Sequence, residues 1–327
     1  MKVVHYDKPG PPEVLKIIEG NVPKFNEHEI LINVKCAGVN RPDLIQREGN
    51  YPPPPKHSNI LGLEVSGIIE KKGNKVKKFK IGDKVAALVD GGGYAEYCCA
   101  NEKQTFMIPK NISFQEAAGI PECFFTSWSN LIDRGRLKKN QKVLIHGGTS
   151  GIGLASIQIL KQFNTDIFVT VGNEEKVSFC KKIGVQNVVN YKEHDFFEYI
   201  KKKKDFDGLD IILDIVGGDY VMKNINLLKN EGKLINIGFQ KGSNVELNLI
   251  KVMLKRLTVT GSTLRIRDSD FKYNILKALS NNIFPHFENN KIKCYIDSVF
   301  KFKDVVKAHQ RLYEGKHIGK VILDVGI

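Results

Sequence analysis

The sequence predicts an α/β protein in two parts, a β-rich barrel-like domain and a doubly wound parallel sheet, and three observations carry that reading. With 327 residues the chain exceeds the size at which one hydrophobic core usually stops growing, so two domains are expected. Its first third consists of short alternating apolar runs broken by Gly and Asp. At Val143 the rhythm changes, and strand-like and helix-like segments alternate from there to Leu264.

In the first part the strands are read at "EILINVKCAGV" (Glu29–Val39), "LEVSGIIEKKG" (63–73) and "IGDKVAALV" (81–89). Between them, "YPPPPKHSN" (51–59) is read as an irregular extended loop, because four prolines exclude helix and central strand alike. From Val143 the order is "VLIHGG", a helix to Phe163, "IFVTVG", a helix near residues 175–183, "VVNY", and a helix near 195–202. It continues with "IILDIVGG", a helix to Leu228, "KLINIGF", a helix to Lys255 and "LTVTGSTL". Six apolar strands joined by crossover helices mean a parallel sheet covered on both faces. The tail after Arg265 reads as helix, strand, helix, strand; at about 60 residues it is too short for a core of its own, so it is expected to return to the first domain. The expected domains are residues 1–120 with 266–327, and residues 121–265.

Composition excludes several classes. Hydrophobic residues make up 42% and charged residues 26%, and no stretch approaches the roughly 20 apolar residues of a membrane span. The polar start "MKVVHYDKPG" lacks the apolar region of a signal peptide, so a cytoplasmic address is expected. Six cysteines, without a C-x-x-C pair, read as reduced packing thiols. The net charge of +14 includes "KKKK" at 201–204, which suits either a phosphate backbone or a solvated helix face; Asp205 and Asp207 follow it directly. RNA binding is the weaker reading, since the interleaved aromatic and basic residues of RNA-binding modules are missing.

In "HGGTSGIG" the run Gly147, Gly148, Thr149, Ser150, Gly151, Ile152, Gly153 joins the first strand of the sheet to its first helix. A chain that turns tightly there lets a pyrophosphate approach the helix N-terminus, so a dinucleotide is expected, although the spacing departs from G-x-G-x-x-G. Cofactor choice lies at the tip of the second strand, "VGNEEK". Gly172 and Asn173 offer no carboxylate to a ribose hydroxyl, and Lys176 one turn on suits a 2′-phosphate; Glu174 and Glu175 pull the other way, and the balance favours NADP.

Together, "GVNRPDLIQREGNYPPPP", "NILGLEVSGII", "GDKVAAL", "GGGYAEY", "IPECFFTSW", the glycine loop and the closing "IGKVIL" resemble the medium-chain dehydrogenase/reductase superfamily. The resemblance runs over about residues 3–323 and is to its zinc-free quinone oxidoreductases, the zeta-crystallin group, nearest the tumour-suppressor-induced branch. It implies a GroES-like catalytic domain, a Rossmann domain and a cofactor in the cleft between them. Zinc relatives carry a Cys and a His where this chain has Asn40 and Leu63, so no metal is expected.

The resemblance further implies Asn40 and Tyr51 as hydrogen-bond donors near the nicotinamide, with Thr126 positioning the cofactor. Lys176 and Tyr191 become 2′-phosphate contacts, and Gly217, Gly238 and Phe239 line the cofactor at the strand tips. Read on the residues alone, Asn40 also suits a helix cap, Tyr51 a loop anchor and Thr126 a helix hydroxyl bonded to its own backbone. The expected activity is NADPH-dependent, metal-free reduction of a small quinone. Reduction of an alkenal or enoyl thioester is the alternative within the superfamily, and an RNA-binding or structural role the alternative outside it. A homodimer is expected through the last strand of the sheet, which begins at Leu257 and ends at Leu264, because an uncharged β-branched edge needs a partner.

Overall fold

The computed structural model describes residues 1–55 and 57–326, and its chain divides into two compact units, Met1–Phe125 with Leu264–Ile327, and Thr126–Thr263. In the first unit a hairpin of β1 (Lys2–His5) and β2 (Lys16–Glu19) precedes β3 (Glu29–Val39), the longest strand, and α1 (Arg41–Arg47). Then come β4 (Glu64–Lys72), β5 (Lys84–Leu88), β6 (Tyr97–Asn101) and β7 (Thr105–Met107), followed by α2 (Phe114–Ala117) and α3 (Pro121–Trp128). Residues 51–59 contain no helix or strand among the described positions, as four prolines dictate; Lys56 lies outside the described residues. Inward-facing residues of these strands, from Val4 to Val325, pack into one buried cluster.

Past a π-helical stretch at Ser129–Arg134, which the sequence reading did not foresee, the second unit begins its alternation. The strands are β8 (Lys142–His146), β9 (Asp166–Val171), β10 (Asn187–Asn190), β11 (Leu209–Asp214), β12 (Leu228–Asn236) and β13 (Thr258–Gly261). The helices between them are α4 (Gly151–Lys161), α5 (Glu174–Lys182), α6 (Phe196–Lys201), α7 (Tyr220–Leu227) and α8 (Leu249–Lys255). All strands pair in parallel in the order β10-β9-β8-β11-β12-β13. This is the doubly wound order that brings ligands to the carboxyl ends of the strands. The last strand is shorter than the expected Leu257–Leu264 segment. It pairs with β12 on one side and with no strand on the other among the described residues.

The tail forms α9 (Ser269–Asn282), α10 (Phe284–Glu288), β14 (Ile296–Lys301), α11 (Val305–Tyr313) and β15 (Lys320–Asp324). Strand β15 pairs antiparallel with β3, Val321 opposite Val39, so the end of the chain sits beside the strand that leads into Asn40. No helix of the described residues is long and apolar enough to cross a membrane. In the lysine run, Lys201 and Lys203 fold back over the rings of Phe197 and Tyr199. The six cysteines are free thiols.

Candidate active site

Asn40 follows β3 and occupies the N-cap of α1, but its side chain does not cap the helix. Asp43 does the capping work from inside, its carboxylate accepting from the Asn40 N–H at 2.8 Å and from the Gly62 N–H at 2.9 Å. Burial, partly offset by these bonds, raises Asp43 to about 6. The Asn40 amide turns instead into a buried knot: Nδ2 donates to Glu64 Oε1 at 2.9 Å, and Oδ1 accepts from Lys320 Nζ at 2.6 Å. Lys320 also pairs with Glu64 Oε1 at 2.6 Å, while Glu64 Oε2 accepts from the backbone N–H of Glu122 at 2.8 Å. A side chain at Gly38 would come within 2.1 Å of the Glu64 carboxylate, so only glycine lets the pair form there. Burial alone would depress the Lys320 ammonium, yet Cys123 and Glu64 beside it hold it above the ordinary lysine range. The second Asn40 N–H makes only a 3.4 Å contact with the Gly38 carbonyl.

A second group of donors in the same unit is left open. Tyr51, half-buried in the proline loop, packs its ring under the Arg265 guanidinium at 5.5 Å, and its hydroxyl has no hydrogen-bond partner among the described residues. Burial and the charge of Glu122 raise the Tyr51 phenol, with Arg265 opposing. Glu122 lies in the first turn of α3; burial of its carboxyl and the neighbouring Glu64 push it up to about 8, although the residue keeps part of its surface exposed. A carboxyl with that value holds a proton at neutral pH.

In the second unit the glycine loop has the shape that a pyrophosphate requires. Gly147 sits at φ +77°, where other residues are strained, and Ser150 caps α4 by accepting from the Gly153 N–H at 3.0 Å. The N–H groups of Gly151 and Ile152, first in α4, have no acceptor within the helix and face its N-terminal end. Thr149 is buried. At the β9 tip, a side chain on Gly172 would come within 2.8 Å of the Tyr191 hydroxyl, so the strand end and Tyr191 are brought together. Lys176 is buried on the face of α5 that also carries Val177 and Cys180. Glu174 is turned toward β10, accepting from Asn190 Nδ2 at 3.1 Å. Gly217 and Phe239 also meet, for a side chain on Gly217 would lie 2.7 Å from the Phe239 ring; Gly238 lies beside Ile215. Asp214 Oδ1 fixes this edge by accepting from the N–H groups of Val216 and Gly217. Thr126 is buried near the end of α3, and its carbonyl accepts from Ser129 and Asn130.

Comparison with known proteins agrees with this architecture. The alcohol dehydrogenase GroES-like domain family matches residues 26–110, and the zinc-binding dehydrogenase family matches residues 151–281. Quinone oxidoreductase of Homo sapiens is 31% identical over 326 residues, which cover 99% of this chain and 97% of that protein. This chain belongs to the medium-chain dehydrogenase/reductase superfamily of oxidoreductases. The synaptic vesicle membrane protein VAT-1 homolog of Danio rerio is 32% identical over 92% of this chain, which spans only 65% of that protein's length. Quinone oxidoreductase of Escherichia coli, solved in complex with NADPH, matches with a TM-score of 0.88 at 28% identity, over 99% of this chain and 100% of that one.

Zinc, which the name of the second family implies, needs thiolate, imidazole or carboxylate donors around a tetrahedron. The residues of this superfamily member do not fit it. Position 40 is an amide whose oxygen is bonded to an ammonium, position 63 is a buried leucine, and the Glu64 carboxylate already accepts from three donors, one of them a cation. A dication beside Lys320 would meet repulsion in a dry site. Sequence reasoning missed Glu64, Glu122, Arg265 and Lys320 as parts of the site. Glu64 and Lys320 lay in quoted motifs, "GLE" and "IGKVIL", but their pairing depends on the closing strand lying beside β3.

Proposed function

We propose that this oxidoreductase passes a hydride from NADPH to a small quinone without metal assistance. The observation that carries the reading is the Asn40–Glu64–Lys320 knot, which closes the position where zinc relatives hold their metal. Without a Lewis acid, an alkoxide developing on a saturated alcohol has nothing to stabilise it, whereas a quinone spreads the incoming charge over its own π system.

Bound NADPH supplies the hydride. The N–H groups of Gly151 and Ile152 receive the pyrophosphate, Tyr191 and Lys176 the 2′-phosphate, and Gly217, Gly238 and Phe239 line the nucleotide. Thr126 positions the nicotinamide. The Tyr51 hydroxyl, without a hydrogen-bond partner among the described residues, donates to the quinone oxygen as charge develops, and the weakly held second N–H of Asn40 is the further donor. A hydride brings two electrons and one hydrogen, so the hydroquinone needs one more proton. The Glu122 carboxyl holds one at neutral pH.

A steady-state panel tests the reading: 1,4-benzoquinone and 1,2-naphthoquinone against 2-hexenal and crotonyl thioester, each with NADPH and NADH. The reading predicts quinones and NADPH to be preferred. Faster turnover of the alkenal or thioester would replace the substrate, and equal use of NADH would remove the phosphate contacts.

We also propose a homodimer through β13 and its flank. The outer edge of β13 is exposed, and α8, the helix that precedes it in the chain, presents Leu249, Ile250, Met253 and Leu254 to solvent. A two-fold copy would continue the sheet and cover these side chains. Light scattering should give twice the chain mass, and Thr260→Pro should shift it towards monomer; a monomeric unmodified protein would refute the pairing.

A further inference from the structure

Two arginines are buried in the first unit, and they differ in one respect. Arg47, 1% exposed, has every nitrogen engaged: Nε donates to the Gly10 carbonyl, Nη1 contacts His309 Nδ1 at 3.0 Å and Nη2 donates to Glu48 at 2.7 Å. Arg265, 7% exposed, donates from Nε to the Asp90 carbonyl at 2.9 Å and from Nη1 to Gln46 Oε1 at 2.8 Å, while its buried Nη2 has no partner. Among the described residues no carboxylate pairs with it; both of its direct partners are neutral. A buried cation without a counter-charge is costly, and an orphaned buried N–H is rare in a folded protein.

Arg265 is among the residues that line a cavity of about 850 Å³ wholly within this unit. Gly91 lines the same cavity, and a side chain there would meet the Ser58 carbonyl at 2.6 Å, the Ile60 carbonyl at 3.2 Å and Arg265 Nη2 at 3.3 Å, so only glycine lets these groups come this close. Ile60 and Val89 supply apolar wall. Of the carboxylates that line the cavity with it, Glu29, Asp90 and Asp268, none pairs with Arg265, and Asp90 is taken by Lys272 Nζ. Burial depresses the Arg265 guanidinium despite the more distant acids, so a further negative charge at Nη2 would be favoured.

We propose that this cavity binds a small organic carboxylate, its oxygens accepting from Arg265 Nη2. Arg265 also lies over the Tyr51 ring, so this site adjoins the donors of the hydride-transfer reading, but its test needs no nicotinamide. Calorimetric titration of the full chain with benzoate, and with benzamide as the neutral isostere, tests it. The proposal predicts benzoate to bind at least tenfold tighter than benzamide, Arg265→Gln to lose that difference, and Arg267→Gln, a neighbouring cation, to keep it. Should Arg265→Gln fail to fold, a benzoate-soaked crystal of the unmodified protein decides instead: a carboxylate on Nη2 supports the site. Benzoate absent from Nη2, or bound no better than benzamide, overturns it. Inhibition of NADPH-dependent quinone turnover that is competitive with the quinone would identify the carboxylate site with the substrate pocket, and binding without inhibition would make it a separate effector site.

Discussion

The first unit has two clusters of polar groups, a closed one around Asn40 and an open one around Tyr51. In the closed cluster Glu64 satisfies Asn40, Lys320 and the Glu122 backbone together, and little donor capacity remains. In the open cluster a phenol and a guanidinium sit ring to cation with a hydroxyl and an Nη2 unspent. The difference teaches which groups are scaffold and which are available: the Asn40 amide is largely spent in the frame and keeps one weakly held N–H, and a loop tyrosine carries a donor that is open among the described residues.

Removing one member of the closed cluster should have the largest effect. Lys320→Met leaves Glu64 charged and buried with no counter-ion, so urea unfolding should show a loss of about 3 kcal/mol. A loss under about 1 kcal/mol would mean that the knot is not a frame. The open cluster should respond in rate instead of stability. Tyr51→Phe should lower quinone turnover about tenfold and leave NADPH affinity within about twofold, because the hydroxyl meets charge that develops only during transfer. Unchanged turnover would make Tyr51 a loop anchor.

The pH dependence sharpens the boundary between the clusters. Glu122 is protonated below about 8 and loses its proton above, so turnover should fall as pH rises through that value. Glu122→Gln, neutral at every pH, should lose this limb, and a limb persisting in the variant would assign it elsewhere. The smallest effect per pH unit is expected at His309, which contacts Arg47 and the Tyr94 ring. Burial and the charge of Arg47 depress it to about 3, below its ordinary 6.5. Between those values the unfolded chain binds a proton that the folded one does not, so stability is full above about 6.5 and declines as pH falls towards 3. His309→Asn keeps an acceptor for Arg47 and should flatten that slope, by at most about 1.4 kcal/mol per pH unit. An unaltered slope would show that other groups carry the acid loss.

How far these regions were legible in the sequence follows from their physics. The strands of the second unit are continuous apolar runs because helices cover both faces, so all six were readable, and with them the glycine loop at Gly147. Tyr51 was singled out through its place in the matched motif "GVNRPDLIQREGNYPPPP", its neighbouring prolines fitting a loop anchor equally well. The closed cluster was not, because Asn40 and Lys320 are 280 positions apart and only the β15–β3 register brings them together. Helix α10 and the π-helical turn were missed for want of a distinctive period. Lys176, expected as a phosphate contact, lies buried on the face of α5 that carries Val177 and Cys180, a placement that "NEEK" alone does not reveal.

The most direct test of the central claim, hydride transfer to a quinone with the metal position closed by Lys320, combines elemental analysis with NADPH oxidation in the presence of 1,4-benzoquinone. It is run on the purified protein before and after exhaustive chelation. The account predicts no stoichiometric zinc and the same rate on both sides of the treatment. About one zinc per chain, with activity lost on chelation and restored by zinc, would contradict it.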